Sequence, residues 1–188
     1  MSALEPAAPT QAGVTLAERR AGLVEVSARR GRERELSTAL QEQLGVALPE
    51  PGRTSTHGDI AALWIAPATA LIVGPLARLD ALRTAIPPAI AAVVDQSGGF
   101  VVVRLAGPRA AAVLAKGCRV DLDPRAFAAG GVARTIIAQV PAIVHRVDAG
   151  ATAERSFDLF VPATLARSFV EFLLHAAGEF GCDVGAPP

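Results

Sequence analysis

Lys116 and Cys118 are the residues of this chain with the clearest potential for chemistry. They lie two positions apart in the segment Leu114–Phe127, LAKGCRVDLDPRAF, and Lys116 is the only lysine among 18 lysine and arginine residues. A nearby ammonium group can lower the pKa of a thiol and make it nucleophilic or easily oxidised. The sequence favours a structural alternative. Gly117 ends a helix in the left-handed conformation, Lys116 lies at the negative helix end or in a subunit interface, and Cys118 packs as a small apolar side chain.

The other polar and aromatic residues that stand out also favour structural roles. Asp121 and Asp123 precede Pro124, a composition typical of a turn, and they hold that turn or an interface. Trp64, the only tryptophan, is predicted to anchor the core or an interface.

The three histidines have no ligand spacing with one another or with a cysteine. His57 is expected in a surface turn, His145 on a strand as a structural imidazole, and His175 on the polar face of a helix. Phosphate-binding, dinucleotide-binding and zinc-protease motifs are absent from the sequence. We therefore assign no catalytic, cofactor-binding or metal-binding residue. Structural or interface roles are predicted for Lys116, Gly117, Cys118, Asp121, Asp123 and Trp64.

The amino-acid composition limits which partner molecules and which cellular location are expected. The formal net charge is zero at pH 7 and aromatic residues make up 4%, which argues against a nucleic-acid partner. The first residues of the chain lack the basic and apolar regions of a signal peptide, so none is expected, and no apolar run is long enough to cross a membrane. Two cysteines make no disulfide framework, so we expect a cytoplasmic protein. The charged share, 19%, is below the usual value of about 25%, which favours a surface partly covered by other proteins.

The elements that position these residues follow two similar orders. Residues 1–20 are expected to form a flexible tail, residues 21–98 and 99–184 two halves, and residues 185–188 a C-terminal tail. Strand patterns at 23–28, 62–65, 70–73 and 91–95 alternate with helix patterns at 31–44 and 76–86, and a loop is expected at 46–59. The second half has strand patterns at 100–105, 132–140, 142–147, 157–161 and 182–184, with helices at 109–115 and after Pro162. We predict an α+β protein built from duplicated ferredoxin-like βαββαβ units.

Four segments carry a family resemblance: LVEVSARRGRERELSTALQEQLGVALPEPGR, LWIAPATALIVGP, VVDQSGGFVVVRLAGPRAAAVLAKGCRVDLDPRAF and FDLFVPATLARSFVEFLLHAAGEFG. From about residue 16 to 184, the chain resembles the gamma subunits of heterotetrameric sarcosine oxidases. The resemblance implies a fold related to the folate-binding domain of glycine-cleavage T-protein. It also implies alpha, beta and delta partner subunits, with FAD, FMN, NAD and tetrahydrofolate held by alpha and beta, zinc by delta, and no cofactor in the gamma subunit.

Three hypotheses for the function follow. The first is an accessory, non-catalytic gamma subunit of a complex that oxidatively demethylates sarcosine. The second is a separate folate-binding or one-carbon-transfer protein, in which Asp95, Asp121 and Arg134 could bind the pterin and the glutamate tail. The third is a thiol sensor that uses Cys118. Relatives active in folate-dependent iron–sulfur repair follow Lys-Gly-Cys with an aromatic residue and Gly-Gln-Glu, which residues 119–122 lack, so that activity is not expected.

Overall fold

A computed structural model describes residues 12–147 and 155–185. Within them the strands are β1 (Val14–Arg19), β2 (Gly22–Ala28), β3 (Thr54–His57), β4 (Ile60–Ala66), β5 (Thr69–Gly74), β6 (Ala91–Asp95), β7 (Phe100–Ala106), β8 (Val132–Ile137), β9 (Val140–Val147), β10 (Ser156–Pro162) and β11 (Cys182–Gly185). The helices are α1 (Glu33–Leu44), α2 (Leu76–Leu79), α3 (Leu82–Ala85), α4 (Ala110–Ala115) and α5 (Ala166–Ala177), with 3-10 turns at Ala163–Leu165 and Gly178–Phe180.

The first half forms a five-stranded sheet in the order β3-β4-β5-β2-β6. Without the edge strand β3, this order is that of a ferredoxin-like unit, with β2 in the centre between β5 and β6. Helix α1 packs on the sheet because Leu36, Leu40 and Leu44 form one apolar stripe, and all three are buried. The helix ends at Gly45, which has the left-handed conformation that glycine adopts without strain.

The second sheet has six strands in the order β11-β1-β7-β10-β9-β8. Strand β1 pairs antiparallel with β7, which is the position that β6 holds beside β2 in the first sheet. The strand that completes the second half therefore comes from the N-terminal end of the chain. Strand β11 lies outside it and pairs parallel with β1.

The molecule has four layers, because the two sheets pack face to face and the helices cover their outer faces. One apolar cluster lies between the first sheet and α1–α3, and another between the second sheet and helices α4 and α5. A third cluster joins the inner faces of the two sheets, with Leu23, Leu63 and Leu71 on one side and Val102, Ile143 and Phe160 on the other. Together with the family match reported below, this arrangement confirms the predicted α+β class.

Several predicted boundaries differ from the structure. Strand β1 occupies Val14–Arg19, so the prediction of a flexible tail is wrong for these residues, and residues 1–11 lie outside the described part. The helix predicted at 76–86 is interrupted at Asp80 and Ala81, although both keep right-handed helical dihedrals. The loop predicted at 46–59 contains β3. Gly185, expected in the C-terminal tail, ends β11, and residues 186–188 are not described. The division between residues 98 and 99 stays a prediction.

Candidate functional site

Lys116 ties the end of α4 to the end of α5. It follows the last helical residue of α4, and its Nζ donates to the backbone oxygen of Ala176, 2.5 Å away. The same ammonium lies 2.5 Å from a carboxylate oxygen of Glu179 and 5.0 Å from the centre of the Phe180 ring. The carbonyl end of α5 carries partial negative charge, which favours a cation there. Lys116 thus contacts the end of α5, whereas the sequence predicted that it lies at the end of its own helix.

Gly117 is required by close packing and not by its backbone conformation. It is not among the residues with positive φ, so the predicted left-handed conformation is wrong. A Cβ atom at this position would lie 2.7 Å from Cζ of Phe172 and 3.1 Å from the backbone nitrogen of Ala138. The oxygen of Gly117 accepts a hydrogen bond from that nitrogen at 3.2 Å. The turn after α4 therefore approaches both α5 and the β8–β9 connection.

Cys118 is half-buried and packs against the core beneath α4 and α5. Its backbone forms an isolated bridge with Ile137, and its N–H donates to the oxygen of Leu114 at 2.8 Å. Burial raises the pKa of the Cys118 thiol, which is opposite to what a reactive thiol at neutral pH requires. The structure therefore gives no support to the thiol-sensor hypothesis.

Asp121 and Asp123 organise the turn that follows. A carboxylate oxygen of Asp121 accepts from the backbone N–H of Asp123, and Asp123 accepts from the N–H and Nε of Arg125, each at 2.9 Å. The side-chain hydrogen bond from Arg125 is the main reason why the pKa of Asp123 is lowered. Both aspartates thus occupy the kind of turn that was predicted for them.

Trp64 and two of the histidines lie outside the core. Trp64 is half-buried on β4, so it is not a fully buried core anchor and retains an exposed portion. His57 is exposed at the end of β3, and its ring lies against Gly45. His175 is exposed on α5.

The third histidine belongs to a polar row that the sequence analysis missed. Strand pairing places Arg104 on β7, Asp158 on β10 and His145 on β9 side by side across the second sheet. The alternation along β10 turns Phe157 and Leu159 toward the helices, and Asp158 toward the first sheet. His145 is 8% exposed and Asp158 only 2%. The available signal was a lone Arg104 in β7, a lone Asp158 in β10 and His145 beside Arg146 in β9, each within an otherwise apolar strand.

Asp158 is held by two arginines. Arg104 donates through Nε at 2.8 Å and Nη2 at 2.9 Å to the two carboxylate oxygens, and Arg19 on β1 donates through Nη1 at 2.5 Å. A two-pronged arginine contact of this kind is among the stronger protein hydrogen-bonding arrangements. The strand that completes the second sheet therefore also supplies one of the two cations that neutralise its buried acid.

His145 is neutral in this environment. Burial lowers the pKa of its imidazole to about 4, and the charges of Arg104 and Arg19 act in the same direction, whereas Asp158 opposes them. At pH 7 the polar row together with Arg19 therefore holds two positive charges and one negative charge.

Two clefts open on either side of the apolar contact between the sheets. One, of about 460 Å³, is lined by the polar row together with residues of β3, β4 and β5. The other, of about 390 Å³, is mostly apolar and contains Arg134 and Glu25. Neither Asp95 nor Asp121 lines it, so the structure does not bring together the three residues considered for folate.

The site residues offer little for catalysis. Asp158 is occupied by its arginines and has 3% of its side chain exposed, so it is not free to accept from a pterin ring or to act as a base. No group of three metal-ligating side chains occurs in residues 12–147 and 155–185. Across the same ranges, no helix is long and apolar enough to span a membrane.

Comparison with known proteins identifies the family of the chain. Residues 69–186 match the model of the GCVT N-terminal domain. Sarcosine oxidase subunit gamma from Corynebacterium sp. (strain U-96) is 33% identical over 147 residues, 76% of this chain and 69% of the relative. The gamma subunit from Corynebacterium sp. (strain P-1) is 33% identical over 150 residues, 77% of this chain and 71% of the relative. The one from Arthrobacter sp. is 31% identical over 146 residues, 76% and 70% of the two chains.

A solved structure gives the same answer. A chain of the heterotetrameric sarcosine oxidase from Corynebacterium sp. U-96, in complex with pyrrole 2-carboxylate, superposes with a TM-score of 0.78 at 30% sequence identity. The match covers 89% of this chain and 85% of that one. The chain belongs to the family of sarcosine oxidase gamma subunits, built on the fold of the GCVT N-terminal domain.

Proposed function

We propose that this chain is the accessory, non-catalytic gamma subunit of a heterotetrameric sarcosine oxidase. In such a complex the flavin-bearing subunits would demethylate sarcosine oxidatively to glycine. The observation that carries the proposal is the similarity to gamma subunits over about three quarters of the chain at 33% identity. The structure supports the absence of catalysis, because Lys116, Cys118 and Asp158 are engaged in packing or in pairs within the chain.

The expected partners are the alpha, beta and delta subunits, which would hold FAD, FMN, NAD and tetrahydrofolate. Six large apolar side chains are between 38% and 68% exposed and are candidates for contacts with partner subunits: Leu76, Val94, Ile136, Leu165, Leu174 and Val184. Trp64 is a further candidate for an interface because it is only half-buried. The two cysteines are free thiols, which supports assembly in the reducing cytoplasm.

The test is to express the complex with and without this chain. We expect that omission prevents assembly or destabilises the remaining subunits, so that sarcosine oxidation by the purified material falls. Adding the purified chain back should restore the activity. A three-subunit complex with full activity and unchanged thermal stability would show that the chain is not a subunit the enzyme needs.

Folate binding by this chain is a second candidate, supported by one observation. Glu25 and Arg134, a carboxylate and a guanidinium, line the same mostly apolar cleft of about 390 Å³. A pterin needs an acceptor for its N–H groups and a glutamate tail needs a cation. Calorimetry with tetrahydrofolate tests this candidate: binding that is lost in Arg134→Gln would support it, and absence of heat at millimolar ligand would refute it.

A further inference from the structure

We propose that the cleft beside the polar row binds a small organic carboxylate through Arg19 and Arg104. The proposed role as an accessory subunit does not require such a ligand, so either proposal can be refuted without affecting the other. The cleft lies between the sheets, has a volume of about 460 Å³, and is lined by both arginines, His145 and Asp158.

Among the described residues that line the cleft, the charges are not balanced. Two guanidinium groups meet one carboxylate, because His145 is neutral, and the other acid of this lining, Asp59, is paired with Arg78. Within the described lining, one positive charge therefore remains without a partner, in a cleft shielded by two sheets. A monoanion restores neutrality, whereas a dianion such as sulfate exceeds it, and charge balance matters most where water is partly excluded.

Each arginine has a donor that pairs with no described residue. Asp158 uses Nη1 of Arg19, and Nε and Nη2 of Arg104. In the described part of the chain, Nη2 of Arg19 and Nη1 of Arg104 donate to no residue. The side chains are 31% and 33% exposed, so a ligand in the cleft can reach them. Because Asp158 fixes both guanidiniums, little side-chain freedom remains to be lost when the ligand binds.

Part of the remaining lining favours an apolar body on the carboxylate. Thr54 and Thr56 lie at the cleft, but Ala61 and Val73 of the first sheet and Phe160 of the second also line it. The side chains of Ala61, Val73 and Phe160 offer no hydrogen bonds, so they favour a compact hydrocarbon or aromatic group over a second charge. The combination of cation pair and apolar wall is the reason why we choose an organic carboxylate over inorganic phosphate.

Calorimetry with benzoate tests the proposal on the full chain, in the assembly in which it is recovered. We expect one saturable benzoate site per chain that Arg19→Gln weakens by about tenfold or more, as the loss of a charge-assisted hydrogen bond predicts. This variant leaves Asp158 paired with Arg104. The matched control, Arg167→Gln, removes an exposed arginine of α5 and should leave binding unchanged. Sulfate at the same ionic strength should not compete.

A second measurement needs no variant. Phenylglyoxal modifies accessible arginines, and peptide mass spectrometry locates the modified residues. Benzoate should protect Arg19 and Arg104 but not Arg167. The proposal is overturned if no saturable site is found up to about 10 mM benzoate, if Arg19→Gln binds as tightly as the wild type, or if benzoate protects neither arginine.

Discussion

Replacing His145 should change how the stability of the fold depends on pH. In the folded chain the pKa of His145 is lowered to about 4, while the unfolded chain has the ordinary value of 6.5. The unfolded state therefore takes up a proton at higher pH than the folded state does. The stabilisation that the neutral His145 gives the fold is therefore fully present above pH 6.5 and is lost as the pH falls toward 4. Between pH 7 and pH 4.5 this linkage removes about 2 kcal/mol from the free energy of unfolding.

The assay is urea unfolding of the free chain, followed by the fluorescence of Trp64, its only tryptophan. The loss of stability between pH 7 and pH 4.5 should be about 2 kcal/mol smaller in His145→Gln than in the wild type. The matched control is His175→Gln, because that histidine is exposed on α5 and should leave the pH dependence unchanged. Equal pH dependence in His145→Gln and the wild type would refute the reasoning that burial keeps this imidazole neutral.

Three further changes test the segment after α4. Lys116→Met should lower the free energy of unfolding by about 1 kcal/mol in urea titrations, since the pair it loses is partly exposed. Gly117→Ala should cost about 1 to 3 kcal/mol because the new Cβ meets Phe172, whereas Gly178→Ala, with open space around it, should be nearly neutral. Burial raises the pKa of Cys118, so iodoacetamide should alkylate it more slowly than free glutathione, measured by mass spectrometry.

Most elements could be predicted because their patterns are local. The short apolar runs of β7 and β10 and the stripe of Leu36, Leu40 and Leu44 in α1 indicate strands and a helix without reference to the rest of the chain. Prolines and glycines gave most of the boundaries. The short edge strand β3 was missed because TSTH has no apolar alternation, and its pairing with β4 decides its conformation.

The exchange of β1 into the second sheet could not be predicted in the same way. Its partner β7 is far along the chain, and the pattern of residues 14–19 does not indicate which strand β1 pairs with. The polar row was missed for the same reason. Arg19, Arg104 and Asp158 lie on three strands, and only the register of the sheet makes them neighbours. Lys116 was predicted to lie at the negative end of its own helix, but tertiary packing brings its ammonium to the end of α5.

Native mass spectrometry of the complex purified through a tag on this chain measures directly whether the chain is a subunit of a sarcosine oxidase. We expect a single assembly of four different subunits, one of them this chain, that oxidises sarcosine. Recovery of the chain alone, with the other subunits forming an active oxidase without it, would contradict the proposed function.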